Sequence, residues 1–492
     1  MAKDNDIEKE RQRLLDLLKK INGKTIGEVD SSNLLSNSKN KGAIGQVIQK
    51  YLGKDLDNDK GKDFPEAQLE LKVTGLLSYE NKSKGAYHAK ERLVLSEINY
   101  NEDYKEPFEE SHVVKKCNDM LMTCYEYIKP KTNGEKPQYD KFPIIDSFIM
   151  SLSDADMMIL KRDYDFIMDK IKRGLADQIS QSDTNYLSTC TKAADSSKRT
   201  TQPFSDRLAK PRAFAFKDTF LTTLIKKYIS NEDYQSIIDS LDEYKEFDLE
   251  TYVLDKLKPW FGKTEEQLGY TFGVMTNAKN RYSVYADRIF KVSSLEDSEE
   301  FQKADISVKT IRIQKSGNIK EKMSFPQMDF EEVASTPWEE SNVREYFAEK
   351  RFLFLIYKET NKGYVFDNAF FYNFTDSIID EFIGYTYKKT QEVLNNGTIV
   401  KNRELKLING EYKLIHSTYF VGIKENPICH VRPHARDFKD QAPLPVQDKS
   451  TGYTSYEKQC FWIDTRFIKA IVDNKQDEYI SFARDRLNNI VE

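Results

Sequence analysis

Two acidic residues and a lysine lie close together early in the chain, within DFPEAQLELKVTGLL at residues 63–77. Asp63 is followed after six residues by Glu70, and Lys72 comes two positions later. Two converging carboxylates are oxygen ligands that Mg²⁺ prefers, with water and a substrate phosphate completing its coordination. Such an ion lowers the pKa of water, and a neighbouring lysine can orient that water or offset charge in the transition state. The spacing therefore predicts phosphodiester hydrolysis.

A β-strand is expected to position Glu70 and Lys72. Strand-type residues run through LELKVTGLL behind a Phe-Pro break. Side chains alternate between the two faces of a strand, so Glu70 and Lys72 share one face, roughly 7 Å apart along the chain. A chain in which 32% of residues are charged also produces this pattern by chance, as a solvated strand face with a surface ion pair. The spacing alone leaves both interpretations open.

The composition is that of a folded protein with more than one domain. A chain of 492 residues is too long for one ordinary core, and a hydrophobic content of 39% is ample for two. The first residues are charged and amphipathic, and no apolar run approaches the roughly 18 residues of a membrane helix, so we expect a cytoplasmic protein. Five cysteines without a CxxC pair indicate neither a disulfide framework nor a zinc site.

Positive charge is concentrated in one segment, although the whole chain carries a formal charge of −5. From Cys190 to Lys217, seven residues are basic and two are acidic. The net charge excludes a generic polycation, but the local excess is what nucleic acid responds to. Basic side chains neutralise phosphates, and one or two of them can read base edges in a groove. We therefore predict a DNA-binding loop at 182–212.

The chain repeats itself. Five short stretches recur in the same order at offsets between 230 and 247 residues, which is hard to obtain by chance. The pairs are GKTIGEV (23–29) with GKTEEQL (262–268), LELKVT (69–74) with ISVKTI (306–311), PFEESHV (107–113) with PWEESNV (337–343), TKA (191–193) with PHA (433–435), and FAFKDTFLTTLI (214–225) with FWIDTRFIKAIV (461–472). We infer a tandem duplication.

The duplication predicts two domains, 1–230 and 245–492, on either side of a polar stretch near 228–250. Each copy is expected to be α/β in class (mixed α+β), a mixed sheet with flanking helices. The elements expected in the first copy are helices at 6–20, 42–52 and 151–180, strands within 66–100, and a closing strand or helix at 213–228.

The two copies differ where the chemistry would lie. Ser307 and Lys309 stand in the second copy where the first has Glu70 and Lys72. Because the carboxylate is lost, only the first copy is expected to be catalytic.

Several landmarks of the first copy resemble those of the MutH family. They are GKTIGEV, KGAIGQVIQKYLG (41–53), DFPEAQLELK, EESHVVKK (109–116) and MDKIKRG (168–174). The triad then resembles that of PD-(D/E)xK nucleases. The family includes the mismatch-repair nickase and the Sau-type restriction enzymes that cut GATC. Two copies with a silent second half look like the Sau-type enzymes rather than the single-copy nickase.

The resemblance implies roles for five residues. Asp63 and Glu70 would bind Mg²⁺, and Lys72 would work beside the attacking water. Lys116 falls at a family lysine near the catalytic site. Gln49 stands where the family usually has a glutamate of that site, and its amide oxygen can bind a cation only weakly because it carries no negative charge. This departure bears on the number of metal ions.

The family's DNA-recognition loop has an Arg-Pro-Lys core, which both copies here match in part. In the first copy the matching run is Cys190, Thr191 and Lys192, of which only the lysine is kept. The second copy keeps the first two residues and replaces the lysine. The residues predicted to contact DNA are Thr191, Lys192, Arg199 and Arg212 of the first copy, and Arg432, Pro433 and His434 of the second.

The resulting prediction is a type II restriction endonuclease that hydrolyses double-stranded DNA with Mg²⁺ at a short palindrome, GATC by resemblance. The second copy would be a non-catalytic DNA-binding effector half. One active site per chain and a palindromic target favour a transient homodimer on DNA, and a host would need a partner DNA methyltransferase. The alternatives are a non-catalytic sequence-specific DNA-binding protein, which Gln49 favours, a MutH-like nicking enzyme, and a nuclease for RNA or damaged DNA.

Overall fold

A computed structural model describes residues 2–37, 40, 42–55, 61–79, 86–130, 136–191, 198–245, 247–275, 278–320, 323–408, 410–437 and 439–491. The chain forms two compact units. The first unit is Met1–Lys256 with Ala286–Ser307, and the second unit is Leu257–Tyr285 with Val308–Glu492. Their extent differs from the predicted domains because residues 286–307 pack within the first unit. The domains 1–230 and 245–492 stay predictions as functional units.

Helices and strands alternate along the described parts of the chain. The helices are α1 (Ala2–Lys19), α2 (Ile26–Val29), α3 (Ala43–Tyr51), α4 (His112–Cys117), α5 (Asp154–Lys172), α6 (Asp218–Ile229), α7 (Leu241–Tyr244), α8 (Leu249–Leu257), α9 (Glu265–Phe272), α10 (Arg281–Ile289), α11 (Glu299–Ala304), α12 (Phe330–Ser335), α13 (Asn342–Glu349), α14 (Asp376–Ile378), α15 (Gly384–Asn396), α16 (Thr465–Val472) and α17 (Gln476–Val491). The strands are β1 (Glu70–Ser78), β2 (Tyr87–Ala89), β3 (Leu93–Glu97), β4 (Met120–Glu126), β5 (Ile144–Met150), β6 (Leu187–Thr191), β7 (Thr200–Gln202), β8 (Ser205–Ala209), β9 (Arg212–Phe216), β10 (Ile306–Ile313), β11 (Met323–Gln327), β12 (Arg351–Thr360), β13 (Gly363–Tyr372), β14 (Val400–Ile408), β15 (Glu411–Thr418), β16 (Cys429–Pro433), β17 (Gln441–Pro443), β18 (Ser455–Glu457) and β19 (Gln459–Ile463). The mixed α/β class predicted from the sequence is confirmed.

The main sheet of the first unit has the order β2-β1-β4-β5. β1 runs parallel to β4, with Glu70 opposite Met120, while β2 and β5 are antiparallel to their neighbours. Apolar residues of α1 and α3 form a core cluster with Leu69, Leu71 and Leu121. Leu71 therefore points into this core, and Glu70 and its neighbour two residues on project from the opposite face.

Side-chain caps fix where the helices around this sheet begin. Thr25 and Glu28 form a capping box at α2, and Ser153 and Asp156 form one at α5. Ser111 accepts a hydrogen bond from the Val114 N–H and starts α4. Each cap satisfies backbone donors that the first turn leaves unpaired. The short helix α4 is thereby held at a defined position.

A second sheet of the first unit corrects the predicted loop at 182–212. β9 lies between β3 and β6 and is antiparallel to both, and β7 pairs with β8 in a hairpin. The expectation of a continuous loop was wrong because Ser, Thr, Lys and Pro are turn-type residues locally, whereas the β6–β9 pairing joins residues far apart in sequence. Residues 192–197 lie outside the described residues.

The second unit has the same strand order as the first. Its main sheet is β10-β12-β13, matching β1-β4-β5, and its other sheet is β11-β19-β16, matching β3-β9-β6. In both second sheets the last strand lies between two antiparallel neighbours. The recurring GKT and EES stretches also cap helices in both units, through Thr25 and Thr264, and through Ser111 and Ser341. The shared topology supports the inferred duplication.

A buried lysine joins α11 to α5 within the first unit. The Lys303 side chain is 2% exposed, and its Nζ lies 2.6 Å from Asp156 Oδ1 and 2.7 Å from Glu299 Oε1. Burial lowers the pKa of Lys303, but the two carboxylates outweigh burial and raise the pKa overall. A charge this deeply buried is tolerated only when it is paired.

Lys303→Met is expected to lower the free energy of unfolding by about 3 kcal/mol, because it leaves the Asp156 carboxylate buried without its ion-pair partner. Adding Asp156→Asn should recover part of the loss, since the amide needs no cation. Urea unfolding monitored by circular dichroism measures both effects. The control is Lys291→Met, which changes a lysine with a 76% exposed side chain. Equal losses for the two lysine variants would contradict the prediction.

Candidate active site

The main sheet brings together four of the five residues predicted for catalysis. Glu70 and Lys72 lie on one face of β1, and Lys116 reaches the same carboxylate from α4. The Lys72 Nζ is 3.2 Å from Glu70 Oε1, and the Lys116 Nζ is 3.5 Å from the same oxygen. Asp63 lies just before the strand. These contacts favour a built site over a solvated strand face.

A tight turn folds Asp63 back onto β1. Phe64 and Leu69 exchange backbone hydrogen bonds of 2.9 and 3.1 Å, and Gln68 takes a positive φ of 54° to close the turn. The Leu71 N–H then donates to Asp63 Oδ2 at 3.0 Å. Because Leu71 directly follows Glu70, this bond holds the Asp63 carboxylate beside the strand that carries the second carboxylate.

The Glu70 carboxylate is almost fully removed from water. The residue is 4% exposed, and its Oε1 faces the two lysines while its Oε2 is buried with no hydrogen-bond partner among the described residues. A buried oxygen without a partner is costly, so it calls for an additional ligand. The chemistry of this oxygen fits a cation.

Two carboxylates with water and phosphate suit a hard divalent ion such as Mg²⁺, which keeps several waters. Among the residues that the structure describes, no group of three or more His, Cys, Asp or Glu is placed to hold a metal. Asp63 and Glu70, whose Oε2 has no hydrogen-bond partner among the described residues, are the two carboxylates that could hold such an ion.

Lys54 is a site residue that sequence reasoning missed. Its Nζ lies 3.4 Å from Asp63 Oδ1. Lys54 lies beyond the end of α3 and directly after Gly53, whose positive φ of 84° ends the helix. No motif marks Lys54, because only the turn at Asp63 brings the two residues together. Gln49 lies on α3 and donates from Nε2 to the Asp55 carbonyl at 3.5 Å, and among the described residues it makes no hydrogen bond to Asp63, Glu70 or Lys72.

Arg11 of α1 ties the Asp63 turn to the start of β4. Its Nε donates to the Ala67 carbonyl at 2.9 Å, and its Nη2 donates to Asp119 Oδ2 at 2.8 Å. Ser151 Oγ donates to the other Asp119 oxygen at 2.6 Å. Burial raises the pKa of Asp119, but these hydrogen bonds outweigh burial and lower it. Sequence reasoning also missed these contacts of Arg11, Asp119 and Ser151, because the three residues are distant in sequence.

The matching positions of the second copy serve other contacts. Ser307, which aligns with Glu70, donates from Oγ to Glu296 Oε1 at 3.0 Å. Glu300 aligns with Asp63 at the same offset, and its carboxylate accepts from Ser236 Oγ at 2.5 Å and from the Ile237 N–H at 3.0 Å. Burial raises the pKa of Glu300. This carboxylate is thus committed to the packing of the first unit.

The residues predicted to contact DNA in the first copy differ in how far they are exposed to solvent. Thr191 is exposed at the end of β6, and Arg199 is exposed just before β7. Lys192 lies outside the described residues. Arg212 is buried on β9, where its Nη1 donates to Thr189 Oγ1 at 3.2 Å, and Lys217 is fully buried. In this conformation neither buried cation can reach a phosphate.

In the second copy, Arg432 and Pro433 end strand β16 rather than lying on a loop. Pro433 and His434 are exposed and Arg432 is half-buried. The His434 ring meets Trp462 edge-on with centroids 5.7 Å apart, and Trp462 Nε1 donates to the Arg432 carbonyl at 3.4 Å. These three residues therefore form one surface at a strand end. Their role in DNA binding stays a prediction.

Comparison with known proteins gives a family model, a relative that spans most of the chain, and a solved structure. A family model described as "DNA mismatch repair enzyme MutH" matches residues 52–163, which include Asp63, Glu70, Lys72 and Lys116. The chain is also 31% identical to the type II restriction enzyme Sau3AI of Staphylococcus aureus over 482 residues, covering 92% of this chain and 96% of that protein. The solved complex of restriction endonuclease MvaI with cognate DNA matches at 12% identity, over 39% of this chain and 91% of that chain, with a TM-score of 0.15.

The fold and the site define a MutH-like, site-specific deoxyribonuclease that binds and cuts DNA. More particularly, the chain belongs to the family of type II restriction endonucleases that includes Sau3AI. Enzymes of this kind use a divalent metal ion. None of the helices in the described ranges combines the length and apolar character needed to cross a membrane.

Asp63→Asn is expected to weaken Mn²⁺ binding at least about tenfold, because it removes a charge but keeps an oxygen for the Leu71 N–H. The thermal midpoint should move by no more than about 2 °C. Calorimetric titration with Mn²⁺ measures the affinity. Asp55→Asn is the control, since that side chain is 96% exposed and pairs only with Lys50 among the ion pairs described. Equal affinity in the two variants would argue against Asp63 as a ligand.

Proposed function

We propose that the protein is a Mg²⁺-dependent restriction endonuclease that cuts both strands of DNA at GATC. The observation that carries the metal assignment is the buried Glu70 Oε2, which has no hydrogen-bond partner among the described residues, with Asp63 held to the adjacent Leu71 N–H. The GATC target rests on resemblance, through the 31% identity to Sau3AI and the family motifs around the triad.

Each residue of the site has a role that its geometry supports. Asp63 and Glu70 would hold Mg²⁺, which when bound supplies a polarised phosphate and a more acidic water. The Leu71 N–H orients Asp63, and Lys116 helps to balance the charge of Glu70 from α4. Lys72 stands 3.2 Å from Glu70 Oε1, where its ammonium can orient the attacking water and offset the charge that develops on the phosphate.

Lys54 would balance the charge of Asp63, since its Nζ lies 3.4 Å from Asp63 Oδ1. Its long, flexible side chain would also allow the ammonium to contact a DNA phosphate. Gln49, which has no charge to contribute, favours a single metal ion at this site.

The DNA-reading surfaces are proposed from the exposed members of the predicted set. Arg199 and Thr191 flank residues 192–197 of the first copy and would contact phosphate or base edges. Arg432, Pro433 and His434 would let the second copy bind DNA without chemistry, as an effector half. Arg212 would contribute to the shape of the surface from below rather than by direct contact, since it is buried.

One active site per chain determines how many chains are needed to cut both strands of the DNA. A palindrome cut on both strands requires two chains or two successive nicks, and symmetry favours a transient homodimer on the DNA. We also propose that the enzyme acts in the cytoplasm and that its host carries a DNA methyltransferase of the same specificity, because unprotected sites in the chromosome would otherwise be cut.

The target is tested with an unmethylated plasmid, incubated with the protein and Mg²⁺. Discrete fragments whose ends map to GATC positions are expected. A plasmid in which every GATC is mutated should stay intact and serves as the control. Fragments at another sequence would overturn the GATC target, and nicked circles alone would favour a MutH-like nicking enzyme.

Glu70→Ala is expected to reduce the cleavage rate at least about a hundredfold, since the metal supplies several kcal/mol of the barrier reduction. DNA binding should persist or strengthen, because the variant removes a negative charge and leaves the basic surfaces unchanged. Gel shift and single-turnover cleavage measure the two properties. Glu91→Ala, at a carboxylate 65% exposed, is the matched control. Normal cutting by Glu70→Ala would refute the site assignment.

A further inference from the structure

A β-hairpin distinguishes the second unit from the first. β14 and β15 pair over their length and follow α15 directly, before β16. The corresponding stretch of the first unit, 173–186 between α5 and β6, is fully described and contains only two short 3-10 turns. The hairpin is therefore an addition to the shared fold.

One face of this hairpin is apolar and open to water. The cross-strand pairs are Leu405 with Leu414 and Leu407 with Tyr412, so these four side chains share a face. Their exposed fractions are 68%, 52%, 62% and 74% in that order. We call them the hairpin apolar face. Asn402, Glu404 and Lys406 alternate with them along β14 and lie on the other face, which also carries Ile415 opposite Glu404.

An antiparallel sheet normally covers its apolar face, and a two-stranded hairpin alone is marginally stable. Within the described parts of the chain, ring contacts cover the base of the face, where the His416 ring packs against Tyr453 and Tyr456 with centroids 6.0 and 6.1 Å apart. The outer four residues have no such cover. Contiguous exposed apolar residues of this kind mark an interaction site.

We propose that the hairpin apolar face binds the same face of a second copy of this chain. A two-fold interface must be complementary to itself, and a face whose centre carries apolar side chains and no charge meets its own copy without repulsion. DNA is a poorer occupant of this face, because protein surfaces that bind DNA are strongly positive, whereas the four side chains of the face carry no charge and the cation Arg403 lies only at its base.

The size of the face matches a transient assembly. Four large apolar side chains offer roughly 400 Å², against roughly 800 Å² per partner in a stable interface. The free protein would then be a single copy, and two copies bound to one palindrome would associate because the DNA raises their local concentration. The inference rests on the proposed function in this respect, since it identifies the surface that completes the dimer.

The test uses charge of both signs at one position of the face. Leu405→Lys and Leu405→Glu each place like charges opposite one another across a two-fold axis, so both should weaken dimerisation on DNA roughly tenfold or more. Asn402→Lys and Asn402→Glu are the matched controls on the other face. Sedimentation velocity of the full chain on a short duplex with one GATC, with Ca²⁺ in place of Mg²⁺ so that the duplex stays uncut, measures the stoichiometry.

Each outcome supports or overturns the proposal. Loss of the two-copy complex for both Leu405 variants and neither Asn402 variant supports it. Tighter duplex binding with Lys and weaker binding with Glu would instead identify the face as a DNA contact. Unchanged stoichiometry in all four variants would overturn the proposal and leave another protein as the occupant.

A second measurement does not depend on how Leu405 variants fold. The five native cysteines are buried, so Leu407→Cys provides an exposed thiol on the face. A short bis-maleimide should join two copies on the duplex for Leu407→Cys and not for Asn402→Cys, and equal yields would count against the interface. If the unaltered protein cuts GATC with Mg²⁺ but remains one copy per duplex, this inference fails while the proposed function stands.

Discussion

A nearly buried carboxylate, that of Glu70, is the constraint around which the first unit is organised. Removing an ionised carboxylate from water is costly unless cations and donors compensate it. Lys72 supplies a cation from the same strand, and Lys116 supplies another from α4, which the Ser111 cap holds in place. One oxygen has no hydrogen-bond partner among the residues that the structure describes. The burial of this carboxylate and the metal binding that we propose for it are therefore two consequences of the same arrangement.

Duplication preserved the topology of the fold and changed what its strands carry. Both units order their sheets alike, because strand pairing depends on apolar cores that many sequences can fill. The site depends on single side chains: Ser307 stands in the second copy where the first has Glu70, and Glu300 is a buried acceptor for Ser236 and Ile237. The second unit then acquired its own feature, the β14–β15 hairpin. A shared scaffold thus supports an active half and, as we propose, an assembly half.

The number of basic residues in the segment from Cys190 to Lys217 is larger than the number of exposed cations that DNA could contact. Among the seven basic residues from Cys190 to Lys217, Arg212 is held against Thr189 and Lys217 is fully buried, donating to the Ala304 carbonyl at 3.2 Å. Their aliphatic stems fill the packing of β9 while their charged ends are satisfied inside the unit. Exposed cations such as Arg199 are the ones that we propose for phosphate contacts, in a chain whose formal charge is −5.

Features that depend on neighbours along the chain could be predicted from the amino-acid sequence. Strand alternation placed Glu70 and Lys72 on one face, and repeated stretches predicted two similar halves. Long-range packing determines that a turn returns Asp63 to the Leu71 N–H, that Lys54 joins it, and that the basic segment folds into strands. It also determines which cations are buried. A local periodicity can be recognised from successive residues. The contacts of Asp63, Lys54 and the basic segment, in contrast, form only when distant segments pack together and compete for the same polar groups.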